Sequence, residues 1–322
     1  MRVRLTVVVD SVVSVLNEMT EMKGGRMSAT LNDRRTEMEE RLGDVRELMA
    51  RALGQTVLNR LPPGTERQFL GTGKMLRSRL LFRAGDAAVT PVPVLLHSAA
   101  AVELIHAASL LHDDVIDGGF IRRNLPAFWV ERGIPGAILV GDLMLFKALE
   151  LLGETDDGRL MAALVKMTGE VCDAESEQEL FLRGKQPTWE NCVTIARRKT
   201  GALFAFAAYA AGGADPALSA ALQEAGYAIG TAYQLADDIL DVVGTEGDAG
   251  KTLGTDHMRC KTTAASAAAV TGVDPVLYIE LLLQEAEDIL APWPAILRAW
   301  RQFADEDLRP AVNKSLAAYA AG

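Results

Sequence analysis

Cysteine is scarce: the 322 residues hold three, Cys172, Cys192 and Cys260, far apart and with no CxxC pair. Such a set favours reduced thiols in a cytoplasmic protein over a disulfide frame or a zinc site. Aromatic residues make up 6% of the chain, and runs that alternate apolar with polar residues are few, which argues against a β architecture. Positive charge is also short, with 33 Lys and Arg against 43 Asp and Glu and a formal charge of −10. That balance argues against the phosphate backbone of a nucleic acid as partner, though local Lys and Arg or a metal ion can still bind smaller anions. No run reaches the ~18 uninterrupted apolar residues that a membrane span requires. The best stretches are broken by Glu103, His106 and His112, or by Gly212-Gly213 and Asp215-Pro216. The first residues, Met1 to Val9, imitate a signal peptide, but Asp10 interrupts them and no small-residue cleavage site follows.

What is abundant is alanine and leucine, both strong helix formers, within a 49% hydrophobic chain able to bury a large core. Helical periodicity and its Gly, Pro and Asp breaks predict helices over 35–61, 74–86, 95–117, 136–152, 158–182, 189–211, 216–243, 262–271, 275–290 and 304–321. There is no fixed-period repeat and no long linker. The economical reading is an all-α, single-domain bundle of ten or more helices over residues 35–322, preceded by an extension, 1–34, with no assigned role.

Two acidic motifs stand out. Asp113-Asp114-Val115-Ile116-Asp117 places Asp113 and Asp117 four residues apart on one helix face, with Cβ atoms roughly 5–6 Å from one another. Like charges at that spacing repel, and the stretch around them is apolar. Carboxylates at a helix C-terminus also oppose the macrodipole, so a solvated helix end explains them poorly. A divalent cation would neutralise them, and an oxygen-only ligand set favours magnesium, which keeps waters and takes substrate phosphates as further ligands. The pattern recurs at Asp237-Asp238-Ile239-Leu240-Asp241, again within an apolar helical run. Two copies on two long helices predict facing carboxylate clusters across a deep central cavity, with several cations around one diphosphate.

Cationic residues cluster beside these motifs. Lys74 and Arg77 share a helix face after the Gly71-Thr72-Gly73 turn, Arg122-Arg123 follow the first motif, and Lys199 adjoins Thr200. Lys251 and Lys261 follow the second motif. Each alone reads as solvated surface. Together they suit oxyanions, which Arg grips with a planar fork and Lys with a point charge.

These motifs, in this order from about Gly71 to Thr263, resemble the trans-type isoprenyl diphosphate synthases, or polyprenyl synthetases. The elements that carry the resemblance are the paired DDxxD motifs, Gly73-Lys74-x-x-Arg77, Arg122-Arg123, Glu175-x-x-Gln178, Lys199-Thr200, and the loop running from Gly250 and Lys251 through Gly254, Asp256 and Lys261 to Thr263. The resemblance implies a helical homodimer that condenses isopentenyl diphosphate with an allylic diphosphate using Mg2+ (three ions, with Mn2+ as a substitute). It implies metal ligation by Asp113, Asp117, Asp237 and Asp241, with Asp114 and Asp238 in support. Arg122, Lys199, Lys251 and Lys261 would hold the allylic diphosphate. Lys74, Arg77 and Arg123, with His97, would hold isopentenyl diphosphate. Thr200 and Gln234 would stabilise the allylic cation, and Gln178 would line the cavity.

Departures from the family pattern are Met75 for Arg, Ser78 for Pro and Asn124 for Gly. Small residues one turn before Asp113, Ala108 and Ser109, disfavour C10 and C15 products and point to C20 or longer, with Phe146 or Leu149 as a lower floor. They also suit plain helix packing. Two rivals remain: a class I terpene cyclase, which would lack the second DDxxD motif and the Lys74/Arg77 site, and a non-catalytic partner subunit, which would lack one Asp motif.

Overall fold

A computed structural model of the chain describes residues 33–70, 73–186, 188–243 and 264–313. The chain divides into two compact units, Met1–Asp44 and Val45–Gly322, and everything below concerns the second unit except for helix α1 (33–54), which runs across the division. Helices carry nearly all of the described chain: α2 (Leu76–Ala87), α3 (Val92–Asp117), α4 (Phe128–Gly153), α5 (Gly158–Glu177), α6 (Trp189–Ala196), α7 (Ala202–Ala211), α8 (Pro216–Val243), α9 (Ala264–Thr271), α10 (Pro275–Leu290) and α11 (Pro294–Phe303). The all-α architecture expected from composition is the one observed.

Boundaries differ from expectation where a local residue overrides periodicity. Helix α1 stops at residue 54 rather than 61, and Thr56 caps a separate 3-10 turn by accepting from the Leu58 amide. Helix α4 begins at Phe128, eight residues early, and breaks at Gly133 (φ 75°); Pro135 then sits in the first turn of the resumed helix, where a missing N–H costs nothing. Helix α11 was absent from the sequence reading because its prolines read as breakers, whereas Pro294 occupies a first-turn position. A two-residue hairpin, β1 (Ile121–Arg122) and β2 (Leu125–Pro126), was also unforeseen. Its central residues, Arg123 and Asn124, both have positive φ (54° and 61°), as the tight turn between right-twisted strands demands. Asn tolerates this region better than most residues, which accounts for Asn124 where glycine is usual.

The core centres on α7 and α8. Residues of α7 are almost wholly buried, and the two helices meet at glycines. A Cβ on Gly230 would stand 2.7 Å from Gly201 Cα, and one on Gly226 would stand 2.6 Å from Ala205 Cα. This contact fixes Thr200, just before α7, against Gln234 on α8. Helix α3 is the one described helix long and apolar enough to cross a membrane, yet 67% of its most apolar window is buried inside the protein, as befits a core helix.

Helix α2 is anchored from the far end of the chain. Arg83 donates to Asp307 (2.6 Å) and Glu306 (2.6 Å) in the π-turn Ala304–Leu308, and Arg79 reaches Asp307 at 3.4 Å. Arg79 Nε also donates to the Lys74 carbonyl at 2.9 Å, tying down the loop before α2.

Gly230→Ala is expected to force α7 and α8 apart. Urea unfolding should show a loss of about 1–3 kcal/mol, the usual cost of overpacking a tight contact.

Candidate active site

A cavity of about 820 Å³ opens between the C-terminal half of α3, the hairpin, α5, α8 and the start of α2. Asp113, Asp114 and Asp117 line it from the last turns of α3, and Asp237 and Asp238 line it from α8. Lys74, Arg77, Arg122, Arg123 and Lys199 line the same space. Asp241 follows one turn along α8; its side chain lies outside the described residues, as do Lys251 and Lys261.

The carboxylates face a framework of fixed positive charge. The hairpin folds Arg122 back onto Asp114, whose Oδ1 accepts from Nε (2.9 Å) and Nη2 (2.5 Å). Burial raises the Asp114 pKa, and this pair only partly offsets it. On Arg122, burial lowers the pKa but is outweighed by Asp114, then Asp113 and Asp237, so its charge is reinforced. One guanidinium therefore feels both Asp motifs. Lys199 pairs with Glu175. Burial works against its charge, but Asp113, Glu175 and Asp117 hold its pKa above the ordinary value.

A chain of side chains joins Lys199's neighbour to the second motif. The Thr200 hydroxyl donates to Gln234 Oε1. Gln234 Nε2 donates to Asp238 Oδ1 (2.7 Å), and Asp238 Oδ2 accepts from the Ala264 amide (3.1 Å). Asp238 is thus held in place from two elements. Below the charges the wall turns apolar, with Ile105, Leu110, Leu145, Val171 and Leu203.

A second cationic group, Lys74, Arg77 and Arg123, lines the same cavity. Arg77 is buried, its guanidinium lies 4.9 Å from the centre of the Phe204 ring, and its Nε has no hydrogen-bond partner among the described residues. A buried, unpartnered donor in a cavity wall is costly unless a ligand accepts from it. Burial lowers the Arg77 pKa, with Glu103 and Tyr233 opposing; burial and Arg122 lower that of Arg123. His106 lines the cavity beside them, and burial followed by Arg77, Arg123 and Arg122 holds its pKa well below 6.5. His106 was missed in the sequence. Its signal was available: it lies seven residues, two turns, before Asp113 on the same face of α3.

Three expectations change. His97 lies 16 residues before Asp113, about 24 Å along the helix, and is occupied elsewhere, with Nδ1 2.7 Å from the Pro93 carbonyl and Nε2 3.2 Å from Glu154; it is not part of the cavity, and the imidazole there is His106. Gln178 is buried at the start of the π-turn Gln178–Leu182 but does not line the cavity, whereas Glu175 and Ser176 do. Phe146 is 70% exposed, so it is no floor, and Leu145, one residue round the helix, lines the cavity instead. Of the two small residues, Ser109 lines the cavity and Ala108 is packed fully inside the core.

His106 yields a pH prediction. Its folded pKa is depressed relative to the unfolded chain, so below about 6.5 the unfolded state binds the extra proton and stability falls with falling pH. Arg77 from α2 and Arg122 and Arg123 from the hairpin are the charges facing it. Urea unfolding at pH 7.5 and 5.5 should show a loss of about 1 kcal/mol per pH unit below 6.5, reduced in His106→Gln.

The profile of the polyprenyl synthetase family matches residues 65–288. A geranylgeranyl diphosphate synthase of Methanosarcina mazei is 36% identical over 59% of this chain and 61% of its own length. A probable farnesyl diphosphate synthase of Sinorhizobium fredii is 36% identical over 68% of this chain and 70% of its own. Among solved structures, a polyprenyl synthase of Caulobacter crescentus, complexed with calcium and isoprenyl diphosphate, superposes with a TM-score of 0.67 at 29% identity, covering 88% of this chain and 94% of that one. With the family profile spanning more than two thirds of its length, the chain belongs to the polyprenyl synthetase family.

Proposed function

We propose that this protein condenses isopentenyl diphosphate head to tail with an allylic diphosphate. The observation that carries the reading is the convergence on one cavity of two Asp motifs from α3 and α8 and a second group of cations that includes Arg77, whose buried Nε has no hydrogen-bond partner among the described residues. A single anion site would serve a hydrolase or a cyclase. Two sites, one rich in carboxylates and suited to metal and one dominated by cations, suit two diphosphates.

The donor set fits magnesium. The acidic side chains of the two motifs offer only oxygen donors to the cavity, and magnesium completes such a shell with waters and phosphate oxygens. Asp113, Asp117 and Asp237, with Asp241, would hold Mg2+, three ions by resemblance and Mn2+ as a substitute. When bound, the metal supplies neutralising charge to the leaving diphosphate.

The protein's own residues do the rest. Arg122 and Lys199 share the allylic diphosphate with the metal and stabilise the charge that grows as its C–O bond breaks. Thr200 and Gln234, locked to one another and to Asp238, present oxygen atoms to the allylic cation. The apolar wall keeps water away from it. Lys74, Arg77 and Arg123, now with His106, hold isopentenyl diphosphate so that its double bond reaches that cation. The departing diphosphate then takes the proton released from the new chain.

The prenyl chain grows along Ser109 towards Leu145, and we assign a product of C20 or longer. The exposed face of α4 carries Ile134, Ile138 and Phe146 at four-residue and eight-residue steps, with Leu139 beside them. Apolar residues so aligned on a helix suit burial against a second copy, and we infer a homodimer through this face.

Incubation with Mg2+, isopentenyl diphosphate and dimethylallyl, geranyl or farnesyl diphosphate should give alcohols lengthened in five-carbon steps after dephosphorylation. Asp237→Ala should lower that turnover by ~10²–10³ or more. Cyclic hydrocarbons from one primer would establish a cyclase instead, and binding without turnover a partner subunit. Phe146→Glu should shift the protein from dimer to monomer in sedimentation velocity; an unchanged dimer would place the interface elsewhere.

A further inference from the structure

Helix α2, which carries Arg77, begins without a cap of its own. Its N-cap residue is Met75, in the left-handed region (φ 48°), with no side-chain hydrogen bond to the first turn. The first-turn amides of a helix have no intrahelical acceptor and must find one elsewhere. One acceptor comes from α3: Glu103 Oε1 receives the Ser78 amide at 3.2 Å and the Ser78 hydroxyl at 2.9 Å. Ser78 is fully buried and Glu103 nearly so. Glu103 lines the cavity, Ser78 does not.

The same carboxylate acts on the second cationic site. It is the leading charge opposing the burial of Arg77, and it also supports the charge of Arg123. A carboxylate there has two possible effects. Fixed in place, it keeps the guanidiniums charged and oriented. Released, it is an anion inside an anion-binding pocket and competes with the ligand. The two hydrogen bonds from Ser78 decide between these, because both fall on one oxygen and hold it against the start of α2. Proline, usual at position 78 in sequences of this type, has no N–H and no hydroxyl and could donate neither bond.

We propose that Ser78 is a positioning residue: by tethering Glu103 to the N-terminus of α2, it sets the affinity of the Lys74/Arg77/Arg123 site for the diphosphate of the non-allylic substrate. This rests on the two-diphosphate reading above. The allylic site, built from Arg122, Lys199 and the Asp motifs, has no hydrogen bond to Ser78 among the described residues and should not respond.

The test compares wild type with Ser78→Ala, which keeps the amide donor, and Ser78→Pro, which removes both donors yet suits the first turn of a helix. The KM for isopentenyl diphosphate should rise about threefold in Ser78→Ala and about tenfold in Ser78→Pro, the scale of one and two ordinary intramolecular hydrogen bonds. The KM for the allylic substrate should hold within a factor of two, and kcat likewise. Calorimetric titration with isopentenyl diphosphate should show the same graded weakening without turnover. Because the titration needs no catalysis, a wild type that binds but makes no product would count against the synthase reading alone, and the ranking of the variants would still decide the role of Ser78. Equal affinity in all three proteins, equal weakening for both substrates, or no binding by the wild type would overturn the proposal. A lower melting temperature with both KM values unchanged would reduce Ser78 to a helix cap.

Discussion

Like charges brought together inside a low-dielectric cavity are the constraint on which the rest of this structure depends. Asp113, Asp114 and Asp117 end one core helix, and Asp237 and Asp238 stand near the end of another, all facing one space. Unbalanced, they would drive α3 and α8 apart or take up protons. Two half-buried cations carry the balance. Arg122 sits within reach of Asp114, Asp113 and Asp237, and Lys199 within reach of Asp113, Glu175 and Asp117. A buried ion pair seldom adds net stability over apolar packing. Its place here is better explained by the charge it keeps ready for a ligand.

Backbone geometry delivers those cations. Arg122 reaches Asp114 because a two-residue hairpin with two positive-φ residues reverses the chain directly after α3. Lys199 lies in the π-turn Arg197–Gly201 between α6 and α7, a local widening of the helix of the sort that concentrates at functional sites. Close α7–α8 packing through glycine then brings Thr200 within hydrogen-bonding distance of Gln234. None of these devices is favourable locally. Each is retained by the packing of apolar helices around it.

This explains what was legible in the sequence. The Asp motifs could be read because a four-residue spacing inside an apolar helix has one physical meaning, and the helix spans followed from periodicity. His106 was passed over for His97 because both lie in the same apolar helix, and only counting turns back from Asp113 separates them. The pairing of Arg122 with Asp114 was hidden, since it needs a turn for which Arg-Asn is an unusual sequence. Gln178 was misplaced because periodicity does not say which face of α5 meets the cavity, and Phe146 by a single step of 100° round α4. In each case the residue type was informative and the direction of its side chain was not.

The two proposed anion sites differ in how they hold charge, and the difference follows from chemistry. Around Arg122 and Lys199 carboxylates and cations alternate; on the proposed reading, metal would enter there with the allylic diphosphate and the field would follow the charge as it moves to the leaving group. Around Arg77 and Arg123 cations dominate, and the carboxylate that acts on both, Glu103, is tied to Ser78. A diphosphate bound there must stay attached to its carbon skeleton while the double bond at the other end reacts. On the proposed reading its C–O bond survives because breaking it would leave a primary cation without allylic delocalisation, so Arg and Lys can neutralise this diphosphate without ionising it. One cavity would thereby hold two chemically similar diphosphates and activate only the one whose cation is delocalised, with the Asp motifs gathering metal around that leaving group.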